Sequence, residues 1–100
     1  MARIGVFRIK ETFNVKERGI VLVGYLVEGL PKVGAFLDIQ INDKITHGKI
    51  WAVTPGNIDS EGILFALDIS FEDQSINKFL EANKIQAQVV EINADFSKTT

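Results

Sequence analysis

The chain has 100 residues, of which 46% are hydrophobic and 24% are charged, and its formal net charge is −2. This size and composition are typical of one globular domain and exclude disorder over most of the length. The chain has no cysteine, which excludes disulfides, thiolate nucleophiles and thiolate metal sites.

The first predicted element is one long strand over residues 4–15. Its apolar side chains from Phe7 to Val15 share one parity, with Glu11 interrupting them, and the residues between are polar. Such period-2 alternation indicates a strand with one buried face. We expect a bend near Glu11, followed by a polar turn that ends at Gly19.

The second predicted strand covers residues 20–27, is apolar on both faces and is rich in β-branched residues. Gly24 lies in its middle, and a glycine inside a strand commonly marks a bulge or a sharp bend. Residues 29–34 contain Pro31 between two glycines, so we predict a connection there.

Two further strands are predicted over residues 35–41 and 45–53, joined by a short polar turn at 42–44. Residues 54–62 contain several turn signals, including Pro55 and Gly56. We therefore predict a loop over this stretch.

The clearest alternation in the chain begins at Ile63, where every odd-numbered residue up to Phe71 is large and apolar. It predicts a strand with one buried face. A short helix is expected near residues 75–82, capped by Asp73 or Ser75, which closes one end of the fold. A last strand follows over 85–92.

Side chains on the buried parities are expected to form the core, with Phe65 at its centre. The predicted set is Phe13, Val15, Val21, Val23, Phe65, Leu67, Ile69 and Leu80.

Six strands without long intervening helices exclude a doubly wound parallel sheet. Hydrophobic strands in this number would expose sheet edges unless the sheet closed. We therefore predict an all-β fold, a closed six-stranded antiparallel barrel with one short helix. Residues 1–94 are expected to form this single domain and residues 95–100 a frayed tail.

Residues 13–39 carry a pattern of glycines in register with hydrophobic strands. Arg18-Gly19 ends a turn, Gly24 interrupts an apolar strand, Gly29 ends it, and Lys32-Val33-Gly34 precedes the next alternating strand. This segment resembles the start of the second, β-barrel domain of elongation factor Tu and related translational GTPases.

That resemblance implies a six-stranded Greek-key barrel of the translation-factor type. In the family the barrel accompanies a GTPase domain, and it helps to hold the acceptor end of aminoacyl-tRNA or contacts ribosomal RNA. No phosphate-binding loop of the Gly-x-x-x-x-Gly-Lys-Ser/Thr type is present here, so the resemblance does not extend to the GTPase domain.

The chain also departs from the family where tRNA would be held. Family members that bind aminoacyl-tRNA have a Glu and an Arg after the glycine of the fourth strand, whereas Gly48 is followed here by Lys49, Ile50, Trp51 and Ala52. The usual Ala-Gly before the fifth strand is replaced by residues 60–62. The scaffold is therefore expected without the family's ligand site.

Candidate interaction residues lie in the turns and on the doubly apolar strand. Lys16, Arg18 and Lys32 could meet at one end of the barrel and form a small anion-binding patch. Trp51, the single tryptophan, suits either a recognition surface or core packing. Tyr25 is expected on a surface that a partner or the helix covers.

No catalytic, cofactor or metal site is expected. His47 is the single histidine, no nucleophile elbow accompanies it, and a surface or packing role is favoured for it. Asp59 and Glu61 are predicted to be solvated loop residues, and no carboxylates have metal-ligand spacing. We therefore expect a protein that is not an enzyme.

Charge is unevenly distributed, at +3 over residues 1–50 and −5 over residues 51–100. An acidic chain with no aromatic series among lysines and arginines disfavours nucleic acid. The first segment has no signal-peptide core and no apolar run could span a membrane, so a cytoplasmic location is expected.

Two functions follow from these observations. We expect a stand-alone, non-catalytic interaction module that binds a protein partner or self-associates. The alternative is an RNA- or ribosome-associated domain related to translation factors.

Overall fold

The computed structural model describes residues 3–94, so the tail predicted at 95–100 lies outside the described residues. Within that range the chain forms six strands and one helix. In chain order these are β1 (Arg3–Val15), β2 (Gly19–Gly29), β3 (Phe36–Ile41), β4 (Lys44–Asp59), β5 (Gly62–Ser70), α1 (Gln74–Phe79) and β6 (Gln88–Asn93).

The six strands form one antiparallel sheet that closes on itself in the order β1-β2-β5-β4-β3-β6. The seam between β3 and β6 is the shortest, with two paired positions, Phe36–Asn93 and Leu37–Ile92. The predictions of six antiparallel strands, of a closed sheet and of one short helix are confirmed.

The irregularity predicted near Glu11 is a register shift between Ile9 and Glu11, which leaves Lys10 as the extra residue of β1. Gly24 lies opposite this bulge, paired with Ile9. A Cβ atom at Gly24 would overlap the carbonyl oxygen of Arg8. Glycine is therefore required here because the two backbones approach too closely for any side chain.

The loop predicted over residues 54–62 is wrong for most of its length. β4 continues to Asp59 and pairs with β5 up to Gly62, with register shifts after Ile50 and after Pro55. The turn itself is confined to residues 60 and 61. Proline and glycine are tolerated because β4 pairs with β3 only as far as Lys49, and bulges and one-sided pairing accommodate both residues.

The core fills the interior of the ring. Its most deeply buried apolar side chains are less than 2% exposed, and they come from all six strands: Phe7, Ile9, Leu22, Leu37, Ile39, Ile50, Leu67 and Ile92. Ile69 and Leu80 are 2% exposed. The expected core positions Leu67, Ile69 and Leu80 are therefore confirmed. Val21 is buried, at 4% exposed, but it lies on the outer face of β2, on the same side as Val23.

Four expected core residues are not fully buried. Phe13 and Val15 are 43% and 36% exposed, because the bulge at Lys10 reverses the parity of β1 and turns them outward. Val23 is half-buried on the outer face, and Phe65 only packs against the edge of the core. The centre of β5 is Leu67, not Phe65.

The helix closes one end of the ring, as predicted. Asp73 is its N-cap and accepts hydrogen bonds from the Ser75 backbone N–H and hydroxyl at 2.9 and 2.7 Å. Ile76 and Phe79 pack against the core, and Leu80 after the helix is buried. We call this the helix end. The opposite end, where β2 ends and the β4–β5 hairpin turns, is the β4–β5 end.

Candidate functional site

Arg18 lies in the turn between β1 and β2 and forms a two-pronged ion pair with Asp68 of β5. Its Nε and Nη2 donate to the two carboxylate oxygens at 2.9 and 2.6 Å. Asp68 is 2% exposed, so without Arg18 its buried carboxylate would be left without this ion-pair partner. The same carboxylate raises the pKa of Arg18 through a hydrogen bond and charge attraction. Arg18 is therefore committed within the chain.

Trp51 is the extra residue of a β-bulge in β4, where the register with β5 shifts between Ile50 and Ala52. Its side chain is 45% exposed. It lines a shallow groove of about 300 Å³ together with Arg18, Ser70 and Glu81. The structure thus brings together two of the predicted interaction residues, Arg18 and Trp51.

Lys16 and Lys32 do not join them in one patch. Lys16 precedes β2, Lys32 lies in the connection that follows it, and neither lines the groove beside Trp51. Both are exposed. The three cations therefore do not converge as the sequence suggested, because an 11-residue strand separates the turn from the connection.

Tyr25 was expected on a surface, and the structure corrects this because the residue is 3% exposed. The guanidinium of Arg8 and the ammonium of Lys10 lie over its ring at 5.2 and 5.6 Å from the centroid. Its hydroxyl donates to Asp59 Oδ2 at 2.7 Å. The two cations cover the ring of Tyr25, and its hydroxyl bonds the end of β4. Tyr25 therefore holds the β4–β5 hairpin against β1 and β2.

Asp59 and Glu61, expected to be free loop residues, complete this anchor. Asp59 Oδ1 accepts from the Glu61 backbone N–H at 2.8 Å, and Glu61 pairs with Arg8. The Tyr25 hydroxyl, followed by the Glu61 N–H, lowers the pKa of Asp59, and the Asp59 carboxylate raises the pKa of Tyr25. This cluster is structural.

His47 belongs to a polar network that sequence reasoning missed. Asp38 lies directly across from it in the β3–β4 pair, and His47 Nδ1 is 2.7 Å from Asp38 Oδ1. Asn93 Nδ2 donates to Asp38 Oδ2 at 3.0 Å. Among the described residues, the buried Oδ1 of Asn93 has no partner.

The signal for this network was present in the sequence. A two-residue turn at Asn42 and Asp43 pairs Ile41 with Lys44. Counting outward from that turn places Asp38 opposite His47, since antiparallel partners are equidistant from the turn.

A larger groove lies beside the network and has a volume of about 570 Å³. Its lining combines cations and carboxylates with apolar side chains from β3, β4 and α1. Among the lining residues are Phe36, Lys44, Lys49, Ser70, Glu72 and Ile76. Ser70 borders this groove and the groove beside Trp51. We call the larger one the Ser70 groove.

The β4–β5 end carries a group of exposed apolar side chains. Ile58 and Ile63 face each other across the β4–β5 hairpin and are 74% and 40% exposed. Leu30, directly after β2, is 70% exposed, and Val27 near the end of β2 is 56% exposed. We call these four residues the apolar rim.

Residues 3–94 contain no cluster of three or more histidine or acidic side chains that could hold a metal ion. In that range no helix combines the length and the apolar character that crossing a bilayer requires. Comparison with known proteins finds no matching family model, no matching curated protein and no matching solved structure.

Proposed function

We propose that this chain is a non-catalytic interaction module that self-associates or binds a protein partner through the β4–β5 end. The observation that carries the proposal is the apolar rim, in which Ile58 and Leu30 are 74% and 70% exposed. Large side chains grouped at one end of a small domain, and exposed to this degree, are characteristic of interaction sites.

The charges around the rim favour a second copy of the chain as the occupant. Arg3 pairs with Glu28 at 3.1 Å and lies 3.7 Å from Glu91, and Arg8 pairs with Glu61. A symmetric contact brings identical surfaces together. Because the two arginines offset two of these three carboxylates within each chain, such a contact meets reduced like-charge repulsion. A different protein partner remains the other reading of the same surface.

We further propose that the ring is a Greek-key barrel of the translation-factor type. β3, β4 and β5 are consecutive neighbours, and β6 returns to lie beside β3. This strand order supports the proposal because it matches the definition of a Greek key. It gives no support to a particular ligand, since one fold carries many functions.

The absence of cysteine favours the cytoplasm as the location of the protein.

The RNA-binding alternative has weaker support. Arg18, the cation nearest to Trp51 in the smaller groove, is committed to Asp68. Lys16 and Lys32 lie at opposite ends of β2. A backbone-tracking groove for single-stranded RNA needs cations and stacking rings side by side, and the candidate residues do not have this arrangement.

A sizing column coupled to light scattering tests both readings. The protein is run at increasing concentration, with and without total tRNA, at about 150 mM salt. We expect a mass that rises above the monomer value of 11.1 kDa with concentration and is unaffected by tRNA. A strict monomer that co-migrates with tRNA would overturn the proposal and restore the RNA-binding function.

A further inference from the structure

We propose that the Ser70 groove binds a carboxylate that has an apolar group beside it, the chemistry of the C-terminal residue of a peptide. The groove lies at the helix end of the outer surface and is a different surface from the apolar rim. Failure of this inference would therefore leave the proposed self-association intact.

The groove offers donors that nothing in the described chain uses. Lys49 and Ser70 are directly paired across β4 and β5, and their exposed side chains make no hydrogen bond or ion pair within residues 3–94. An ammonium next to a hydroxyl can hold a carboxylate through charge-assisted hydrogen bonds.

The imidazole of His47 is positioned at the same wall. Its Nδ1 donates to the Asp38 carboxylate, which Asn93 in turn holds at 3.0 Å. Two strands and the end of a third thus fix the ring orientation. A side chain locked by such a network makes a better specificity element than a mobile one.

Apolar side chains lie directly beside these polar groups, since Phe36 is the cross-strand partner of Lys49. Phe36 and Ile76 are half-buried, and Ile45 is 60% exposed. A cavity with an apolar wall and a few converging polar groups is the usual form of a small-ligand site. The apolar wall selects a ligand that presents hydrocarbon next to its charge.

The charge balance of the lining favours a single negative charge over a polyanion. Lys44 and Lys49 are formally offset by Glu72 and Asp73. Asp73 is committed to capping α1, where the Ser75 hydroxyl and N–H lower its pKa. Glu72 would repel a chain of phosphates, so the groove does not suit nucleic acid.

A second depression, of about 560 Å³, was considered as the ligand site. It lies between residues 40–43 and 83–88. The Gln88 side chain already bonds both backbone groups of Gln40 there, at 2.9 and 3.0 Å. Those backbone groups are therefore satisfied within the chain, unlike the donors of the Ser70 groove.

The test is a titration with N-acetyl-leucine as the probe. Binding is detected by NMR, from the chemical shifts of the Lys49 and Ser70 amides and of the His47 ring. Acetate lacks the apolar group, N-acetyl-leucine amide lacks the carboxylate, and inorganic phosphate is a different anion. We expect saturable shifts with N-acetyl-leucine and clearly weaker binding of the other three probes. Equal binding of phosphate or acetate would overturn the peptide-like assignment, and absence of saturable shifts would overturn the site.

Substitutions inside and outside the Ser70 groove test whether N-acetyl-leucine binds there. Lys49→Glu should weaken N-acetyl-leucine at least about tenfold, because a repulsive charge replaces an attractive one. Lys32→Glu makes the same charge change at a residue that does not line the groove and should have no effect. If Lys49→Glu does not fold, Ser70→Ala should still weaken binding. Unchanged binding in the folded Lys49 or Ser70 variant would contradict the proposal.

Discussion

The ion pair between Arg18 and Asp68 joins an exposed side chain to a buried one. Asp68 is 2% exposed, whereas the Arg18 side chain is 47% exposed. Removing the arginine would leave a buried carboxylate without its partner, and removing both would not.

Arg18→Ala should therefore lower the melting temperature more than the double variant Arg18→Ala/Asp68→Ala does. Lys16→Ala, at an exposed position two residues earlier, should leave the melting temperature unchanged. Thermal unfolding followed by circular dichroism measures all three. Equal losses in the single and double Arg18 variants would show that Asp68 does not need its partner.

Tyr25 and Asp59 give the fold a pH dependence whose sign follows from the hydrogen bond between them. The Tyr25 hydroxyl lowers the pKa of Asp59 below its ordinary value of 3.8. A carboxyl with a lower pKa in the folded state stabilises the fold above 3.8, and this contribution is lost as pH falls through the folded value.

Tyr25→Phe should consequently destabilise the protein near neutral pH, and the difference from wild type should shrink as pH falls below about 3.8. Denaturant unfolding at a series of pH values measures this. A difference that stays constant down to acid unfolding would mean that the Asp59 carboxylate gains nothing from the hydroxyl.

Local sequence patterns predicted the strands that carry these residues, but not all of the side-chain partners. The apolar strand around Tyr25 was recognised, but its hydroxyl partner lies 34 residues away and no local pattern marks it. The partner of His47, nine residues away, could have been found, because a two-residue turn fixes that register. Arg18 and Trp51 were identified, and their shared groove was not.

At the scale of the elements, alternation along β5 predicted the buried face but not the depth of burial. Leu67 is fully buried, whereas Phe65 lies nearer the β4–β5 end and is half-buried. Which end of a strand meets the centre of the ring depends on how its neighbours are staggered, and that information is not in the strand's own sequence.

Leu67→Ala should cost about 2–5 kcal/mol of unfolding free energy through the cavity that it leaves. Phe65→Ala should cost less than Leu67→Ala, although its side chain is larger, because part of the ring is already in water. Denaturant unfolding of both variants decides the order. A larger loss at Phe65 would restore it as the centre of the core.

The close approach of β1 and β2 at the Lys10 bulge depends on Gly24. A Cβ atom at Gly24 would meet the carbonyl oxygen of Arg8, which is backbone and cannot rotate away. Gly24→Ala should cost about 1–3 kcal/mol or more, as overpacking does. Gly56→Ala should cost less, since the nearest atom there, the carbonyl oxygen of Leu64, lies at 3.2 Å and needs only a small shift. Equal stability of the Gly24 variant and wild type would refute the close approach.

The end of β4 could not be predicted from the sequence of β4 alone. The Pro55-Gly56 pair is a sound turn signal in isolation, yet the strand passes through it with a bulge. Pairing with β5 on one side outweighs the local preference of these residues. A sequence pattern alone does not show that a strand has lost one of its two neighbours.

For the whole molecule, the two ends of the ring differ in how they are closed. At the helix end, Ile76, Phe79 and Leu80 cover the core. At the β4–β5 end, the hairpin extends past Tyr25 and leaves Ile58 and Ile63 exposed. We infer that association covers the apolar rim, as α1 covers the core at the opposite end.

Sedimentation equilibrium of matched surface variants tests this account most directly. Ile58→Asp places a charge in the apolar rim, and Val89→Asp does the same at a residue of β6 that is 61% exposed. Wild type and Val89→Asp should associate with increasing concentration, and Ile58→Asp should remain at the monomer mass of 11.1 kDa. Equal association of all three proteins, or of none of them, would contradict the assignment of the β4–β5 end as the interaction surface.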